Sequence, residues 1–182
     1  MISLKQIIRR VLISAMIIIT CFLLQTNIFS KLPMANVTPN IIICVVSAFG
    51  FMKGQKKGLM IGFLCGLLLD FYGGSYLGIN AFIYMIIGYI NGFFKRLFFG
   101  EDLRLPLILI GISDIIYGFL VYVLLYLSRK RFSLKQYFSN IMVPELVYTL
   151  LVSIFIYFLI LKISGWLDNI DKRGNRRLDG KI

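Results

Sequence analysis

Apolar residues fill six stretches of this chain, each bounded by charged, polar, glycine or proline positions. Residues 11–30, 38–52, 58–72, 78–94, 105–127 and 144–163 read as helices, because a bilayer core takes about 20 mostly apolar helical residues to cross. The first stretch follows Lys5, Arg9 and Arg10. It lacks a small-x-small cleavage site and further spans follow it, so it reads as an uncleaved first helix. The second is short for a span, with Pro39 expected in its first turn, where the missing N–H costs nothing. The uncharged turn Gly73 to Leu77 is short enough to force the third and fourth stretches into an antiparallel hairpin. The fifth starts just before Pro106 and carries Asp114 between Gly111 and Gly118. The sixth opens on Pro144 and Glu145, a carboxylate favoured by the helix dipole in a first turn.

Within the third stretch Gly58, Gly62, Gly66 and Asp70 recur every four residues, which places three missing side chains and one carboxylate along one helix face. Small residues at this spacing mark a face where a second backbone approaches closely in lipid. Two readings stay open: packing within the chain, or a seat for a partner's transmembrane helix. Asp70 either caps a neighbouring helix end or is a functional intramembrane acid. Gly88 and Gly92 repeat the spacing in the fourth stretch, where Asn80, Tyr84 and Asn91 add hydrogen-bonding groups that join helices.

Composition agrees with this pattern. Of 182 residues, 59% are hydrophobic and 15% charged, and the mean hydropathy is +0.86, a balance that suits a multi-spanning protein with no separate soluble domain. The net charge of +12 raises nucleic-acid binding as a reading, but the basic residues are spread over several short connections and form no single stripe. Placing both termini in the cytoplasm puts 15 of the 20 basic residues inside, including a basic tail over 164–182, as the positive-inside rule asks. Arg129, Lys130, Arg131 and Lys135 then lie outside, where they meet lipid phosphates. Ser133 and Gln136 resemble a capping box, so a short surface helix is expected there before Pro144 turns the chain inward.

Catalytic chemistry is undersupplied. The chain has no histidine, which removes Ser-His and Cys-His pairs and histidine metal sites. Cys21, Cys44 and Cys65 fall in three different stretches without paired spacing and read as buried small hydrophobes. No phosphate-binding loop pattern occurs, and no cofactor or metal is expected. Asp70, Asp114 and Glu145 are the acids within the spans; they converge on one polar cavity or make three separate helix-packing bonds. Trp166 reads as an interface anchor.

The run from Gly62 to Asp70, then Gly74-Ser75-Tyr76-Leu77-Gly78, Ala81 to Tyr84 and Gly88-Tyr89, resembles the signature of the rod shape-determining protein MreD family. The match is strongest over residues 39–99, and the last two spans resemble the family mainly in hydropathy. The resemblance implies an all-α integral membrane protein, six transmembrane helices in a compact bundle, with the S-component fold of energy-coupling-factor transporters. It implies a non-enzymatic subunit of the bacterial elongation machinery in the cytoplasmic membrane. MreC, a SEDS glycosyltransferase and a class B penicillin-binding protein are the implied partners, with MreB filaments reached indirectly. The alternative is a vitamin-binding S component, disfavoured by the single tryptophan near the cytoplasmic end. A lipid phosphotransferase ranks third, since Asp70 has no clustered acids to hold a metal.

Overall fold

Helix α1 (Leu4–Leu23) runs on through a π-helical segment, Leu24–Ile28, and a 3-10 turn, Phe29–Lys31. It belongs to a computed structural model that describes residues 4–31, 37–73, 77–97, 103–126 and 134–179. Helices α2 (Ile41–Lys53), α3 (Gln55–Gly73), α4 (Ile79–Phe93) and α5 (Arg104–Val121) follow, α5 being prolonged by a π-helical segment, Tyr122–Tyr126. A helical turn, Leu134–Tyr137, and a third π-helical segment, Phe138–Met142, lead directly into α6 (Val143–Asp179).

Two expectations about local structure change here. Pro39 lies before α2, not in its first turn, because Asn40 takes the N-cap and its side chain accepts the Ile43 N–H at 3.2 Å. Nor does Pro144 turn the chain. Just before it, the Val143 N–H bonds the Phe138 carbonyl five residues back, and this wider register accommodates the proline within a continuous helix. Glu145 therefore sits inside a helix, not at a free N-terminus, and the expected dipole contribution fades. Ser133 of the capping box, Arg129 to Arg131 and Ser75 lie outside the described residues.

Side-chain contacts fix the helix directions. Lys53 at the end of α2 donates to Ser14 of α1 at 2.8 Å, and Gln25 beyond α1 accepts the Ile42 N–H at the start of α2 at 2.9 Å, so α1 and α2 are antiparallel. Asp70 near the end of α3 meets the start of α4, and a Cβ on Gly92 near the end of α4 would strike Gln55 at the start of α3. Asn80 pairs with Tyr117 and Asn91 with Ser113, which runs α5 antiparallel to α4. Thr149 bonds Asn40 and Asp171 meets Arg10, which runs α6 back toward the start of α1. The six helices thus alternate up and down between a basic end, with Arg10, Lys53 and Asp171, and an opposite end, with Asn40, Asp70 and Gly78.

Helix α2 is the axis of the bundle. Every residue from Ile41 to Phe51 is buried, as an all-round apolar helix requires. Thirteen residues extend about 20 Å against a hydrocarbon thickness of ~30 Å. Its shortness is tolerated because other helices, not lipid, surround it. The outside is inverted relative to a soluble protein: Met16, Ile108, Phe155 and Phe158 are all more than half exposed. By length and composition, 6–31, 104–124 and 135–171 can each cross a membrane. The architecture is an all-α membrane bundle.

The α2, α3 and α4 backbones approach unusually closely. A Cβ on Gly50 would lie 2.7 Å from the Gly88 carbonyl oxygen, and one on Gly58 would lie 2.8 Å from Gly50 Cα and also strike Gly88. Three glycines from three helices therefore meet at one node. Gly54, at φ +92°, is the only residue between α2 and α3, and this left-handed conformation suits glycine.

Candidate functional site

The glycine stripe is filled from within. Cβ atoms on Gly62 and Gly66 would collide with the backbone at Tyr84 and at Asn80 and Ala81 of α4, while Gly88 faces Gly58 and Gly92 faces Gln55. Of the two readings left open for this stripe, these contacts favour packing within the chain. Such proximity suits a lipid setting, where helices associate through close packing.

Asp70 closes the same hairpin. Its carboxylate is buried and accepts three backbone bonds from the start of α4: Gly78 N–H at 2.9 Å, Ala81 N–H at 3.0 Å and Asn80 N–H at 3.1 Å. Gly78, the N-cap residue at φ +99°, has no side chain to satisfy those donors. The preceding helix supplies the missing cap, and its negative charge faces the positive end of the α4 dipole.

Asn80 links this cap to a buried polar chain. Its side-chain oxygen accepts the Tyr117 hydroxyl at 3.2 Å, and the Tyr117 ring lies 5.1 Å from that of Tyr84. Tyr84 is fully buried and donates to Asn40 Oδ1 at 2.6 Å; the Asn40 N–H donates to Thr149 Oγ1 at 3.0 Å, and the Thr149 hydroxyl bonds the Asp114 carboxylate. One chain of bonds thereby joins α3, α4, α5, α6 and the cap of α2. A second cluster lies toward the basic end, where Asn91 Nδ2 donates to Ser113 at 2.8 Å, Ser47 at 3.2 Å and the Ile87 carbonyl at 3.0 Å. Satisfying buried polar groups in this way fixes helix register, because any shift leaves a donor or acceptor without a partner in a nonpolar medium.

Of the three intramembrane acids, two come together. Asp114 and Glu145 line one small cavity between α5 and α6, whereas Asp70 is engaged at the α4 cap. A larger open crevice of about 420 Å³ lies at the end opposite the arginines, lined by Gln25, Thr26, Thr38, Tyr72, Asn80 and Tyr117 among others. Its named polar groups carry no formal charge.

Sequence reasoning missed two features. At the basic end, Arg9 pairs with Asp171, and Arg10 bonds Asp171 and Asp168 at 2.6 Å each, fastening α1 to α6. The signal was available: Asp168 and Asp171 share a helix face within an otherwise basic segment. Gly50 was also missed, although Gly50, Gly54 and Gly58 extend the four-residue spacing backwards across the α2–α3 turn.

Among the described residues no cluster of three or more potential ligands is placed to hold a metal ion, and Cys21, Cys44 and Cys65 are buried free thiols. The hydrogen bonds among the described residues position helices. No curated protein and no solved structure matches the chain. Residues 5–164 match the family described as rod shape-determining protein MreD. With that match covering most of its 182 residues, the chain belongs to the MreD family of rod shape-determining membrane proteins.

Proposed function

We propose that this protein is a non-enzymatic scaffold of the elongation complex. It holds MreC and, through it, a SEDS glycosyltransferase and a class B penicillin-binding protein, coupling side-wall peptidoglycan synthesis to MreB filaments. Both termini face the cytoplasm, and six helices cross the membrane. The observation that carries this reading, beside the family, is the use of the buried polar groups: Asp70, Asn40, Asn91 and Tyr84 all bridge helices. A bundle whose register is fixed this firmly is a rigid surface for partners. Crosslinking in native membranes of a rod-shaped bacterium, followed by purification and mass spectrometry, tests it. MreC and the two synthases are the expected crosslinked proteins.

A second reading has one observation in its favour. The uncharged crevice around Asn80 and Tyr117 has room for a small polar ligand, as a transporter's substrate-binding subunit requires. Recovery of an ATP-driven transport scaffold, with MreC absent, would replace the first reading with this one.

A further inference from the structure

Asp114 is 5% exposed, and its Oδ1 has no hydrogen-bond partner. Its carboxylate bonds Thr149, and Glu145 lies near enough to interact with it electrostatically. Both acids line a cavity of about 50 Å³, together with Ile115, Phe138, Met142 and Leu146. Among the described residues the ion pairs are those of Arg9 and Arg10 at the far end of the bundle, so no described basic side chain pairs with these two acids. Intramembrane acids face a bundle interior or a polar cavity and pair with opposite charge.

The walls narrow the choice of cation. An inorganic divalent ion needs about six oxygen ligands, and apart from the two carboxylates the side chains that line the cavity are apolar. A basic side chain fits better, since its hydrocarbon stem packs on Met142 and Leu146 while its charged head reaches the carboxylates beside the Phe138 ring. The rim is greasy: Ile115, Phe138 and Val143 are each 40–49% exposed. Asp114 lies ten residues into α5, about 15 Å from its start, near half the hydrocarbon thickness.

We infer that the α5–α6 cavity receives a single arginine or lysine from a partner's transmembrane helix, with Asp114 and Glu145 as the paired acceptors. The inference rests on the scaffold reading only in taking the partner to be a transmembrane helix; charge complementarity selects the occupant.

The full chain in lipid nanodiscs, labelled for fluorescence transfer, is titrated with synthetic polyleucine helices of about 20 residues carrying a central arginine, a central citrulline or leucine throughout. The arginine helix is expected to bind about tenfold tighter than either control, and Asp114→Asn with Glu145→Gln to abolish the difference. Equal binding of the three helices overturns the inference, as does full arginine preference in the double variant. Should the double variant lose its helical circular dichroism, Glu145→Gln alone is used, and undiminished preference in that folded variant overturns it equally. Failure here with MreC still crosslinked removes the cavity's role and leaves the scaffold standing. Arginine preference without MreC does the reverse.

Discussion

Asp70 illustrates how much one side chain can settle once its partners are known. A carboxylate offers acceptors on both oxygens, and here Oδ2 takes Gly78 and Ala81 while Oδ1 takes Asn80. Asp70→Asn keeps one oxygen and turns an NH₂ donor toward at least one backbone N–H, so it is expected to destabilise the bundle by about 1–3 kcal/mol. Asp70→Leu leaves all three donors unmet and is expected to cost more, with rounded cells at matched protein levels. Unfolding of the purified variants in SDS titrations checks the order; equal stability of Asp70→Leu and the parent removes the cap from the account. The arginine clasp offers a graded comparison. Asp171 is nearly buried between two guanidiniums, whereas the Arg10–Asp168 pair is exposed, and such pairs contribute about 0–1 kcal/mol. Asp171→Ala is therefore expected to lower the melting temperature clearly more than Asp168→Ala.

Pairs of helices are where sequence and structure diverge in an instructive way. The four-residue glycine spacing was legible, and so was the hairpin that the short turn after α3 enforces. Which surface fills the stripe was not, because a missing side chain records that something comes close without recording what. The same limit applies to Asp114 and Glu145, on different helices, whose meeting depends on how α5 and α6 pack. The continuity of α6 was hidden for another reason: π-helical segments carry no composition signal, and proline and a basic tail both read as boundaries. At this scale the prediction is a contrast among glycines. Gly58→Ala, Gly62→Ala and Gly66→Ala each place a methyl against backbone that cannot rotate away, with an expected loss of about 1–3 kcal/mol. Gly111→Ala meets only the Leu150 methyls, at 3.5 and 3.9 Å, and Gly165→Ala meets nothing within 4 Å of its Cβ. Those two are expected to be neutral, or stabilising by up to about 1 kcal/mol through helix propensity. Thermal melts in one detergent rank all five, and indistinguishable values across the set would contradict close α3–α4 contact.

For the whole molecule, the up-and-down alternation bears directly on orientation in the membrane. The arginines of α1 meet Asp168 and Asp171 of α6, so the first helix begins and the last helix ends on the same face of the bundle. That geometry is what the proposed six crossings, an even number, predict, whichever way the bundle is inserted. Charge then bears on the direction: Arg9, Arg10, Lys53, Lys56, Lys57 and Arg104 lie at the basic end, and under the proposed topology the positive-inside rule turns that end to the cytoplasm. Helix α5 ends at the opposite end, before the basic segment that contains Lys130 in the sequence. A chain with Cys21, Cys44 and Cys65 replaced by alanine, carrying single cysteines at Lys31, Ser75, Lys130, Lys56 or Arg173, converts this into a labelling pattern in intact cells. Lys31→Cys, Ser75→Cys and Lys130→Cys are expected to react with an impermeant thiol reagent, while Lys56→Cys and Arg173→Cys react only after the membrane is opened. Reaction at position 173 with protection at 130 would reverse the orientation of α6 and contradict the clasp as well as the charge rule. Uniform inversion of the pattern would preserve the clasp and discard only the charge rule, so the two foundations of the topology are tested separately in one set of variants.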